Sequence, residues 1–152
     1  MLELKDLQRK NFNPDDFYKS ATANKLKINN IPPQSARVCL MKLADKMQFI
    51  RDKIDLPIII TSAYRSHELN KAIKGSPKSA HCQGLACDFL FFGKTPQESC
   101  ELVVSTGISF DQLLIEKDVL HFGIKIRDEL NRYEVAFAKF NETTKKWELK
   151  KL

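Results

Sequence analysis

At 152 residues, with 43% hydrophobic and 29% charged residues, the chain has the size and composition of one globular domain with a real core. Its formal charge of +6 comes from Lys and Arg spread along the chain, without a clustered basic helix or an aromatic-basic stacking pattern, which argues against a nucleic-acid-binding protein. No stretch approaches the length of a transmembrane helix, and Met1-Leu2-Glu3-Leu4-Lys5-Asp6 has no apolar run of signal-peptide length, so synthesis in the cytoplasm without stable membrane association is expected.

Asn13-Pro14-Asp15-Asp16 reads as a helix start, with a capping residue, proline at the first position and acids in the first turn. Residues 20–30 are polar and read as a loop. From 34 to about 53 a long helix is expected, with Val38, Met41, Leu43, Ala44, Met47, Phe49, Ile50 and Ile54 near helical spacing. The β-branched run 56–62 predicts a buried strand. A short helix follows over 66–73 and ends at Gly75.

Residues 85–92 predict the next strand, with Phe89, Phe91 and Phe92 as core. Thr95 caps a helix over 96–105. Strands are expected at 108–115 and 120–126, close enough to form a hairpin. Residues 133–140 alternate as a strand, and 147–149 add an edge strand with Trp147 as packing. The expected class is α+β, with helices on a mostly antiparallel sheet in one domain over 1–152. Within it, helices occupy about 13–54, the key motifs about 57–126 and terminal strands about 133–152.

The cysteines, Cys39, Cys82, Cys87 and Cys100, form no Cys-x-x-Cys pair, which argues against a four-cysteine zinc site. Cys82 and Cys87 bracket Gly84 inside the most informative stretch, Ser79-Ala80-His81-Cys82-Gln83-Gly84-Leu85-Ala86-Cys87-Asp88. They read as small buried hydrophobes. Catalytic zinc takes three protein ligands and leaves one position open, and two histidines with one carboxylate form such a set. His81 precedes a strand, Asp88 lies within it, and His121 begins a neighbouring one. These three are the candidate ligands of one zinc ion. His67, the remaining histidine, reads as a surface residue.

The pattern Ser79-x-His81-x-x-Gly84-x-Ala86-x-Asp88 resembles the zinc-ligand signature of the D-alanyl-D-alanine carboxypeptidase family. That family includes phage endolysins and vancomycin-resistance dipeptidases, and is structurally akin to the hedgehog signalling domain. The resemblance extends to Thr61-Ser62-Ala63-Tyr64-Arg65-Ser66-x-Glu68-Leu69-Asn70 and to Phe110-Asp111-Gln112-Leu113-Leu114-Ile115-Glu116, followed by His121.

The resemblance implies a hedgehog/D,D-peptidase-like fold with His81, Asp88 and His121 as zinc ligands. It implies that Arg65 stabilises the transition-state charge, against the plainer role of a salt bridge to Glu68. It places Ser79 and Tyr64 on the substrate side, although Ser79 also suits a turn residue bonding its own backbone. The catalytic carboxylate is Glu116 or Asp118. Glu116 is preferred because the segment before it fits, and Asp118 otherwise sits at a hairpin tip. The implied protein is a monomeric zinc peptidase acting on peptidoglycan stem peptides, of phage endolysin type, at the wall of an infected host. The alternative is a catalytically silent zinc-binding interaction module of the same fold.

Overall fold

The computed structural model describes residues 1–152. Four α-helices run over Ala21–Leu26 (α1), Gln34–Ile54 (α2), His67–Ala72 (α3) and Pro96–Ser105 (α4). Six strands, Ile58–Ser62 (β1), Ala86–Phe91 (β2), Gln112–Ile115 (β3), Leu120–Gly123 (β4), Glu134–Asn141 (β5) and Lys146–Lys151 (β6), form one sheet in the order β1-β2-β4-β3-β5-β6. Every neighbouring pair is antiparallel except β3 with β5, so the α+β, mostly antiparallel architecture is as expected. No helix is long and apolar enough to cross a membrane.

The sheet has two unlike faces because side chains alternate along a strand. Cys87, Phe89 and Phe91 of β2, Leu120 and Phe122 of β4, and Leu113 of β3 are buried within one core cluster with Leu40, Leu43, Met47 and Ile50 of α2 and Val103 of α4. Edge-on aromatic contacts tie Phe89 to Phe91 at 5.6 Å and to Phe122 at 6.4 Å. The opposite face carries Asp88, His121 and Leu114 in one row across β2, β4 and β3.

Several sequence expectations change. Residues 20–30 are not all loop: Ser20 Oγ accepts from Ala23 N, and this cap starts the two-turn helix α1, which Lys27 ends at φ 56°. The strand expected at 108–115 begins only at Gln112, and the one expected at 120–126 ends at Gly123, where Ile124 N turns to bond Leu85 O. On α2, Val38 and Phe49 point to solvent while Leu40 is fully buried. Phe92 is also exposed, because it lies one residue past β2 on the opposite parity from Phe89 and Phe91. Trp147 packs edge-on against Phe140 at 5.7 Å yet stays half-exposed.

Candidate metal centre

Ser79 to Gly84 shape the turn that carries His81. Ser79 Oγ accepts from His81 N, a 3-10 turn runs over Ala80–Gln83, and Gly84 closes it at φ +78°. The left-handed φ favours glycine, and so does the packing. A Cβ at Gly84 would lie 2.7 Å from the carbonyl oxygen of Ala36 and 3.0 Å from Leu40 Cγ. The turn is thus seated directly on the backbone of α2, and β2 then carries Asp88 opposite His121 of β4.

The predicted donors come together at a point. His81 Nε2, Asp88 Oδ1 and His121 Nδ1 are separated by 3.1–3.2 Å. His81 is 1% exposed, and its Nδ1 lies 2.7 Å from the carbonyl oxygen of Ala63, which only accepts. That bond fixes the proton on Nδ1 and turns the Nε2 lone pair inward. Burial lowers the pKa of His81 against the pull of Asp88, so the ring is neutral. A lone pair on Nε2 and an ionised Asp88 leave only the His121 proton to satisfy three short contacts. An added cation resolves that frustration. Tetrahedral geometry with zinc–ligand bonds of ~2.0–2.1 Å sets donor separations of about 3.3–3.4 Å, close to those present, so the donor set fits zinc. Burial alone would raise the Asp88 carboxyl, but the two imidazoles hold it well below the usual carboxylate range.

Arg65 and Glu116 flank the cluster without being spent elsewhere. The Arg65 guanidinium makes no side-chain hydrogen bond or ion pair, its Nε is buried without a partner, and no bridge to Glu68 forms. Burial lowers its pKa, while the nearby charges of Asp88, Cys82 and Glu116 pull it back up. Burial pushes Glu116 up to about 7; the Asp88 charge adds to this, and His121 and Arg65 oppose it. Asp118 is exposed in the β3–β4 connection, which Glu116 N closes by bonding Val119 O. Tyr64 is 6% exposed and belongs to the core cluster. With Arg65, Ser62, Thr61, Lys19 and Thr22 it lines a cavity of about 170 Å³. Cys87 is buried with its thiol on Met47 Sδ at 3.4 Å, and Cys82 is half-buried near Arg65.

Asn30 carries part of this arrangement and gave no sequence signal beyond its polar surroundings. Its Nδ2 donates to the carbonyls of Tyr18 and Tyr64, and its Oδ1 accepts from Ser66 N. It therefore clamps the Tyr64-Arg65-Ser66 segment from both sides of Arg65. Arg65 N completes the lacing by donating to His81 O at 3.1 Å. Asn70, also buried, holds the loop after α3 through Nδ2 to Ser76 O.

In a comparison with known families, a family model described as Peptidase M15 matches residues 10–119. No curated protein matches the chain. The family match stops two residues before His121.

Proposed function

Because the chain belongs to the peptidase M15 family of zinc-dependent D-alanyl-D-alanine carboxypeptidases, we propose that it is a zinc peptidase that hydrolyses a stem-peptide bond of bacterial peptidoglycan, of the D-Ala-D-Ala carboxypeptidase or L-Ala-D-Glu endopeptidase type, in the role of a phage endolysin. The observation that carries the reading is the convergence of His81 Nε2, Asp88 Oδ1 and His121 Nδ1 beside an unpaired guanidinium and a carboxylate poised near neutrality.

His81, Asp88 and His121 would hold the ion. Zinc, when bound, supplies Lewis acidity to a water and to the scissile carbonyl. Glu116 takes a proton from the attacking water as the new C–O bond forms. It returns that proton to the leaving nitrogen as the C–N bond breaks, leaving a carboxylate and an amine. Arg65 faces the negative charge that grows on the carbonyl oxygen, and its unpaired state means no internal bond has to break first. The cavity that Tyr64 and Arg65 line would take the adjoining residue of the substrate. A net charge of +6 suits an anionic wall on which such a chain would act after release from the infected cell.

The test is mass spectrometry of fragments released from purified peptidoglycan by zinc-loaded protein, beside a chelated control. Loss of one D-alanine only with zinc means carboxypeptidase action; new L-alanyl carboxyl termini with free D-glutamyl amines mean endopeptidase action. No release from several wall types, with zinc bound, favours the silent interaction module instead.

A further inference from the structure

The sheet face that carries the metal cluster continues into the β5–β6 hairpin. The ladder pairs Asp88 with His121, His121 with Leu114, Leu114 with Ala136 and Ala136 with Lys151, which makes one row across five strands. Further along β5 on the same face, Ala138 pairs with Leu149 and Phe140 with Trp147. Ala136 and Ala138 are buried and form a low floor. Leu149 and Trp147 stand beside it, 45% and 47% exposed, with the indole braced edge-on by Phe140. At ~4.8 Å between strands and ~3.3 Å per residue, Leu149 lies roughly 16 Å and Trp147 roughly 20 Å from His121.

We propose that this hairpin is a carbohydrate-binding platform that holds the glycan strand of the wall polymer while its stem peptide lies over the metal cluster; the inference rests on the peptidoglycan reading above. A sugar ring offers an apolar C–H face with a polar rim, and a rigid indole beside an aliphatic side chain and an ion pair (Lys151 with Glu134, 3.1 Å) meets both. The spacing suits the polymer. An extended peptide advances at most ~3.5 Å per residue, so about five residues, or a shorter stem plus its sugar, bridge the cluster and the platform.

Trp147 is the only tryptophan, so its fluorescence reports on the platform directly. The full chain is titrated with a soluble N-acetylglucosamine tetramer in the presence of chelator. The expected result is a saturable blue shift, with affinity reduced at least about fivefold in Leu149→Ser, a substitution at a half-exposed position whose thermal melt checks folding. No spectral change up to roughly 10 mM saccharide overturns the proposal, that being the weak end of specific binding. A shift that follows protein concentration instead of saccharide also overturns it, and points to pairing of the β6 edge with a second copy. The readout needs neither metal nor hydrolysis. A chain that shifts with saccharide but releases no stem-peptide fragment has lost the peptidase reading; one that cleaves but never shifts has lost the platform alone.

Discussion

The carbonyl oxygen of Ala63 accepts the Nδ1 proton of His81 at 2.7 Å, so the tautomer of the metal-facing histidine is set by the backbone just after β1. Arg65, two residues on, donates its own N–H to the His81 carbonyl. The two segments that the sequence presents as separate motifs are one hydrogen-bonded unit.

Zinc binding is the first expectation. Calorimetry should find one ion per chain, and Asp88→Ala or His121→Ala should lose it. Zinc at a hundred times its dissociation constant should stabilise the fold by about 2.7 kcal/mol, read as a rise in Tm that the variants do not show.

The two candidate carboxylates should separate cleanly. Glu116→Gln should lower kcat by roughly 10²–10⁴-fold with zinc still bound, because it removes the only uncommitted carboxylate among the buried groups at the cluster. Asp118→Ala, at an exposed loop position, should stay within about threefold of the parent. A large loss in Asp118→Ala with an active Glu116→Gln would reverse the assignment.

Asn30→Ala removes three hydrogen bonds to backbone groups around Arg65. Urea denaturation should show a loss of about 2–4 kcal/mol, since two carbonyls and one N–H lose their partner in a buried setting. Where the variant remains folded, kcat/KM should fall by more than zinc affinity does, because the clamp holds the backbone directly on either side of Arg65 and reaches His81 only through the Ala63 and Arg65 backbone.

Asp111 is 5% exposed and accepts from the Nε, Nη2 and backbone N of Arg132. Burial alone would raise its pKa, but the Arg132 hydrogen bonds and charge, helped by Lys125, hold it below the usual range. The native chain therefore binds fewer protons here than the unfolded chain. The stabilisation is present above the unfolded carboxylate pKa of ~3.9 and is lost as pH falls through the lower native value. Asp111→Asn should cost roughly 1–2 kcal/mol of stability at neutral pH given the half-exposed Arg132, read as a lower Tm, and should flatten the fall of Tm on the acid side. An unchanged acid limb would remove the ion pair from the account.

Gly84→Ala should cost about 2 kcal/mol or more by thermal melt, from the left-handed φ together with the close approach to Ala36 O. A neutral substitution would mean that α2 yields at that contact.

Much of the fold is legible in the chain because local chemistry and periodicity agree. The Thr95 cap with Pro96 fixes the start of α4, the spacing of Leu43, Ala44, Met47 and Ile50 marks the buried side of α2, and the β-branched run around Ile58-Ile59-Ile60 marks β1. Where the signal was a single parity or a polar composition it misled, as for Phe92, Val38 and residues 20–30. The candidate ligands are legible for a different reason: histidine is rare, with three in the chain, and the stretch from Ser79 to Asp88, with His121 beyond it, resembles a known zinc-ligand signature.

What the sequence determined by itself is thus most of the elements and the α+β class, which follow from short-range spacing, and the candidate zinc ligands, which follow from a family resemblance. Tertiary structure decided the rest. The register of β2 with β4 and the turn that carries His81 set the donors 3.1–3.2 Å apart, the Asn30 bonds hold the backbone on both sides of Arg65, and burial with the Asp88 charge lifts Glu116 toward neutrality while Asp118 stays in solvent. Hydrogen-bond partners far apart in the chain and the loss of solvent around a charge are properties of packing, which no local pattern of residues encodes.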